Sequence, residues 1–284
     1  MNLCEDFFTI VFQGLITSGA MAVLKLTDLE HWPNDIDQNA WLLDKTQRQL
    51  LMDKILSDIV ENIMDIRFHS TAKCTGNDKV LQYAKQLLSM GSIHAEFADA
   101  IRERDGDRVL RCWRYLMVIY HNSSRNNYAK EAVLLLHQYH HELSDQLCER
   151  LLYSRFVNVK GQEGTNVSLD LHMEHLNRIL KGGIHALSSN KSTDAIITLG
   201  KAMGTLEPVL ESFDRDNNVR HHETHHRQRI FLHEVSKIVR CIQEFNMFEK
   251  TPDRSYTSFP NPKSLIHKSS LANLKEWIQT HLPE

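Results

Sequence analysis

Asp105-Gly106-Asp107-Arg108-Val109-Leu110-Arg111-Cys112-Trp113-Arg114-Tyr115-Leu116-Met117 decides how the rest of the chain is read. At about 100° per residue, Val109, Leu110, Trp113, Leu116, Met117 and Tyr120 share one face, so the segment predicts an amphipathic helix over about 106–121. The same period recurs in both directions. Upstream it predicts helices at about 4–25, 46–68 and 78–103; downstream, at about 126–141, 144–155, 169–187, 192–214, 227–247 and 270–281. Within 46–68, Leu51, Ile55, Ile59, Ile63 and Ile66 form a single stripe, and Thr46 with Gln49 reads as a capping box. Gly14 and Gly19 weaken the first helix, and Pro208 places a kink in the helix that carries it. Residues 27–43 read as an acidic loop and 250–266 as a Pro- and Ser-bearing loop. Phe156-Val157-Asn158-Val159 is the best strand candidate, leading into a turn through Gly161 and Gly164. With no alternating βαβ pattern and no fixed-period repeat, the expected class is mainly α: a multi-helix orthogonal bundle with at most one or two short strands.

Composition agrees with a globular chain. Of 284 residues, 42% are hydrophobic and 24% charged, with 11 Gly and 6 Pro, which excludes collagen-like, low-complexity and wholly disordered classes. A formal net charge of −3 gives no global positive field of the kind nucleic-acid binders use. That mild figure conceals a split: residues 1–66 hold 11 acids and 4 bases, so the remainder is mildly basic. Five scattered cysteines with no CxxC pair argue against a disulfide framework and for a reducing compartment. Phe7 to Ile16 is largely apolar, but Glu5 and Asp6 stand where a signal peptide carries bases. No apolar run approaches the length of a membrane span. The expectation is an intracellular protein, cytoplasmic or nuclear, without a membrane segment.

Three constellations bear chemistry. Arg104, Arg108 and Arg111 stack on the side of the 106–121 helix opposite its apolar face. Guanidiniums so aligned either grip phosphates bidentately or pair with carboxylates such as Asp105 and Asp107. Second, Leu169, Met173, Leu176, Leu180 and Leu187 form an apolar stripe, with Asp170, Glu174, Asn177 and Lys181 beside it. Asp170 and Glu174, one turn apart at the edge of a core, suit either a structural network or a shared Mg²⁺ of the kind phosphoryl-transfer nucleases use. Third, His221-His222-Glu223-Thr224-His225-His226 contains H-E-x-x-H, in which His222 and His226 bind zinc and Glu223 activates water. The preceding Asp214 to Asn218 reads as a helix ending in a turn, whereas this motif requires a stable helix. A solvated His-rich loop is the plainer reading; the 17 histidines are about twice an ordinary share. Cys112 and Cys148 read as core thiols.

At these motifs the chain resembles a known family. Cys4-Glu5-Asp6-Phe7-Phe8, Asp105-Gly106-Asp107-Arg108 running into Arg111-Cys112-Trp113-Arg114-Tyr115-Leu116, Asn127-Tyr128-Ala129, Ser154-Arg155-Phe156-Val157-Asn158, Asp170 to Arg178, Asn190-Lys191 and Phe213-Asp214 are similar in order and spacing to the domain-of-unknown-function family numbered 6589. The resemblance spans about residues 3–259. That family occurs in animal and fungal proteins that look transposon-derived. Its longer members carry an upstream part, with a Gly-Asp-Gln-Leu motif, resembling the acid-bearing strands of ribonuclease-H-like transposases. The resemblance implies a helical domain over 1–259, truncated at its N-terminus relative to longer relatives, followed by a loop and short helix over 260–284.

By the same analogy Glu174 takes the place of the late acid of an Asp–Asp–Glu triad, with Asp170 and more remotely Asp107 as companions and Mg²⁺ as the metal. Arg104, Arg108, Arg111 and Arg178 become the candidate nucleic-acid contacts, with DNA or protein as partner. The 221–226 cluster and the segment Pro252 to Tyr256 depart from the family pattern. The leading expectation is a transposon-derived domain, nucleic-acid-associated in its ancestor and catalytically incomplete alone. A helical protein-interaction module without catalysis is the alternative, and a zinc hydrolase the least favoured.

Overall fold

The computed structural model describes residues 3–29, 33, 36, 38–68, 78–159, 161–186, 192–202, 232–255 and 268–281. Within them the chain is mainly α. The helices are α1 (Leu3–Val23), α2 (Lys45–Phe68), α3 (Lys79–Arg102), α4 (Gly106–Asn122), α5 (Asn126–His137), α6 (Asp145–Tyr153), α7 (Leu169–Ala186), a helical stretch α8 (193–202), α9 (Leu232–Glu244) and α10 (Lys268–His281). Two-residue strands β1 (Phe156–Val157) and β2 (Val167–Ser168) pair antiparallel, Phe156 opposite Ser168. Their connection passes through Gly161 and Gly164, both with left-handed backbone. Periodicity therefore located the described helices closely, with two departures. The acidic 27–43 segment contains a 3₁₀ turn, Gln38–Leu42, and the helix expected to reach 141 instead ends at His137 and widens into a π turn, Gln138–Glu142.

The chain divides into two compact units, one of residues 2–95 and 230–284, the other of 96–229; the boundary falls inside α3. In the first unit α1 packs against α2 and α9. Leu15, Ile66, Val80, Ala84, Leu88, Ile242 and Met247 form its core, with Ile63 and Ile238 against it. Gly14 and Gly19 are contact points rather than flaws. A Cβ on Gly14 would lie 2.4 Å from Ile238 Cγ2, and one on Gly19 3.1 Å from Ile63 Cγ1, so the bare backbone lets α9 and α2 approach α1 closely. Asn62 Nδ2 donates to the Gly19 carbonyl across the second of these contacts. The capping-box reading of α2 is corrected: the helix begins one residue earlier, and Asp44 Oδ1 caps it by accepting from the Gln47 amide at 2.9 Å. Gln49 lies inside the helix, donating to Asp53 at 2.8 Å.

In the second unit α4 packs on α5 and α6. Its apolar face brings Val109 together with Ala100 and Phe156, and Phe97, Ile101 and Trp113 close over them. Asp105 caps α4, accepting from the Arg108 amide at 2.9 Å. The hairpin leads directly into α7, and the Leu169 amide donates back to the Arg155 carbonyl at 2.7 Å. A Cβ on Gly183 of α7 would lie 2.8 Å from Leu199 of α8, which marks where those helices touch.

Candidate functional site

The arginine stripe has a definite geometry. Arg108 Nε and Nη2 donate to both oxygens of Glu96 at 2.8 Å, and Nη2 also donates to Asp99 Oδ2 at 2.7 Å. Both acids sit on α3, not on the adjoining turn where Asp105 and Asp107 had offered themselves as partners. Hydrogen bonds from Arg108 hold the Glu96 carboxyl below its usual range against a modest desolvation, and the charges of Arg108 and Arg111 act in the same sense. Arg104 lies in the α3–α4 turn with a left-handed φ of 59° and places its guanidinium 5.5 Å from the Tyr153 ring centroid. Arg111 is exposed, as are Arg114 and Tyr115 on the same outer side of α4. Arg114 Nη2 stands 3.3 Å from His140 Nε2. Asp107 is exposed in the first turn of α4, where a carboxylate favours the helix dipole.

On α7 the stripe is rotated from its expected position. Leu169 and Met173 are exposed, while Leu176, Ile179, Leu180 and Ile184 are half-buried beside His172 and His175. Asp170 and Glu174 do not flank the core; both are exposed, as are Arg178 and Lys181. Among the described residues no group of three His, Cys, Asp or Glu side chains stands where it would hold a metal ion. His221 to His226, including His222 and His226, lie outside the described residues, as do Asn190-Lys191, Phe213-Asp214, Leu187 and Pro208. Cys112 is a buried thiol, pushed up by desolvation and so disfavoured as a thiolate. Cys148 Sγ donates to the Tyr139 carbonyl at 3.2 Å.

Two features escaped the sequence. Asp78 and Arg254, 176 residues apart, form a closed clamp in the first unit. Arg254 Nε donates to Asp78 Oδ1 at 3.1 Å and Nη2 to Oδ2 at 2.9 Å; the acid is 3% and the arginine 9% exposed. The amides of Val80, Leu81 and Thr251 also donate to the carboxylate, which caps α3. Arg254 reaches onward to the carbonyls of Phe245, Asn246 and Glu249, fastening the turn after α9. Burial opposes ionisation of Asp78, but the hydrogen bonds from Arg254, Thr251 and Leu81 outweigh it and hold its carboxyl below the ordinary range. The sequence signal was an acid at the first position of the helix expected over 78–103, which the structure places just before Lys79 as its cap.

The second feature is on α2. Its expected stripe faces inward: Leu51, Ile55, Ile59 and Ile63 are half-buried and Ile66 buried. Beside it runs a second row, Met52, Leu56, Val60 and Met64, four residues apart and 41–58% exposed. Leu42, ahead of the helix, and Leu50, on another side of it, are exposed singly. Single exposed hydrophobes are ordinary, but an aligned row of large ones is what an interaction surface looks like.

The described residues define a class: a mainly α-helical protein with a minimal two-stranded hairpin, a closed acid–arginine clamp and an apolar outer helix face. The chain belongs to the family of unknown function numbered 6589 (DUF6589), whose sequence profile matches residues 2–268. No curated protein and no solved structure matches it. No helix among the described residues is long and apolar enough to cross a membrane.

Proposed function

We propose that this chain is a helical interaction domain that holds a protein partner on the outer face of α2 and does no chemistry of its own. The observation that carries this reading is the exposed row Met52, Leu56, Val60 and Met64 on a helix whose other stripe already faces the core. The outward-facing parts of these four side chains, which are 41–58% exposed, add nothing to folding stability, so a partner is the physical reason to keep them aligned there. The test replaces Leu56 and Val60 together by Ser and compares thermal unfolding with Ile63→Ala. The surface pair is expected to stay within about 0.5 kcal/mol of the parent for each position, whereas the core truncation costs about 2–4 kcal/mol. A loss in the pair as large as that of the core variant means the row is internal packing and sinks the interface reading.

A second reading, a transposon-derived domain retaining nucleic-acid affinity, is favoured by Arg111, Arg114 and Tyr115 on one exposed side of α4, where cations beside an aromatic ring suit phosphates and unstacked bases. It predicts binding that weakens steeply with salt and is lost on Arg111→Ala with Arg114→Ala. Residual nuclease action would appear as Mg²⁺- or Mn²⁺-dependent nicking abolished by Glu174→Gln; equal background in both proteins removes it.

A further inference from the structure

Beyond His137 the last turn of α5 widens into the π turn Gln138–Glu142, closed by the Leu143 amide donating to the Gln138 carbonyl at 3.0 Å. Such turns re-aim side chains and are frequent at functional sites. Here the widening changes what stands over His137. On a regular α-helix residue i+4 lies about 40° round from residue i, whereas i+5 lies about 140° round and out of reach. In this turn both positions meet His137. The His141 ring has its centroid 5.1 Å from that of His137, and Glu142 Oε1 stands 3.2 Å from His137 Nδ1. A carboxylate accepts, so His137 donates through Nδ1, and in the neutral ring the Nε2 lone pair is left for another partner. Metal-binding histidines are oriented by a carboxylate in this way. The pair is 57% and 54% exposed, so as an ion pair alone it adds little stability.

The ring spacing fits one shared ion. With a metal–nitrogen bond of about 2.05 Å and about 1.15 Å from that nitrogen to the ring centre, each centroid stands about 3.2 Å from the ion. Ligand angles between about 90° and about 109° then set the two centroids about 4.5–5.2 Å apart. The observed 5.1 Å falls inside that range. Both rings are exposed, so rotation about χ2 aims their nitrogens at a common point without disturbing any packing. His140 has its own partner: Arg114 Nη2 stands 3.3 Å from its Nε2, and a guanidinium only donates, so that nitrogen already accepts. Its centroid lies 6.4 Å from that of His141, outside the range.

The geometry points to an open metal site at the end of α5, where His137 and His141 bind one divalent ion of the zinc–copper class and Glu142 orients His137. Imidazole suits these ions. The described residues offer no three-residue cage, so two histidines supply the protein ligands and water takes the remaining positions. The ion ties the π turn to the last turn of α5.

The experiment uses the full chain and reads each histidine separately. Ring nitrogens are carboethoxylated with diethyl pyrocarbonate over a series of Zn²⁺ concentrations, and the modified residues are located by peptide mass spectrometry. Zinc taken up elsewhere in the chain then registers at other histidines. Because two ligands on one turn chelate, Zn²⁺ is expected to protect His137 and His141 together, at a concentration about tenfold or more below that needed at His140 or His233. His233 is exposed, with Ser236 and Lys237 one turn on. This comparison needs no variant. His141→Asn is expected to abolish protection at His137, and His137→Asn at His141, each with an unchanged melting curve in the absence of zinc. Glu142→Ala raises the zinc needed at both about tenfold, and Glu142→Gln, whose carbonyl still accepts from Nδ1, recovers part of the loss. Protection of His137 and His141 only where His140 and His233 are also protected means an adventitious ion only and overturns the site. Protection of either histidine that survives loss of the other overturns the shared ion. An unchanged zinc requirement in Glu142→Ala overturns the orienting role of Glu142.

Discussion

Arg108 and Arg254 make the same chemical contact in opposite surroundings. Each presents a two-nitrogen fork to one carboxylate, Glu96 in one case and Asp78 in the other. The acids facing Arg108 are 45% and 51% exposed, whereas Asp78 is 3% exposed. The difference teaches that fork geometry does not set the consequence of losing it. Water re-solvates Glu96 and Asp99 when Arg108 is removed, but it cannot reach Asp78 when Arg254 is removed, and a buried unpaired charge is the costly state. The arginine the sequence brought forward as a phosphate ligand is thus a surface tie between α3 and α4, and the one it passed over closes its unit.

The two arginines differ most in what their removal costs, and the larger cost is at the clamp. Arg254→Ala should cost about 3–5 kcal/mol of unfolding free energy in urea titrations, with release of the turn after α9 visible as faster amide exchange there. An effect as small as that of a surface substitution would mean the clamp is open in solution. Acid titration sharpens the contrast next. Because the folded pKa of Asp78 is depressed, its contribution is fully present above the ordinary carboxylate value of about 3.9 and is lost as pH falls through the lower folded value. Asp78→Asn should therefore be less stable at neutral pH and lose less of its stability on acidification than the parent. Glu96 has the same sign of shift, but Glu96→Gln should flatten the acid limb far less, because solvent already screens that carboxylate. The smallest effect is Arg108→Ala. Its destabilisation should be well below that of Arg254→Ala and should shrink further in high salt, which thermal melts at two ionic strengths will show.

Much of the fold was legible because it rests on one-dimensional period. The inward stripe of α2, the amphipathic α4 and the Phe156 strand followed from apolar spacing alone. The failures were places where a neighbour overrode local pattern. Gly14 and Gly19 read as weak points because no sequence rule shows that Ile238 and Ile63 need the space. The α7 stripe was misplaced because its first turn, leaving β2, stands clear of the packing that covers Leu176 and Leu180. The candidate acids were legible as residues but not as a site, since Asp170 and Glu174 stand on an exposed face.

The sequence by itself determined that this is a mainly helical chain, where its described helices run, and that it belongs to its family. Helix period, caps and turn residues are properties of neighbours along the chain, and they survive without knowledge of what packs on what. Only the tertiary structure decided which charges are closed and which apolar faces stay open. Asp78 meets Arg254 across 176 residues, Arg108 turns to Glu96 and Asp99, and α2 is left with an uncovered second row. Burial is set by what each residue meets in space, so the contact that makes an arginine a clamp, or leaves a stripe exposed, is absent from any local pattern.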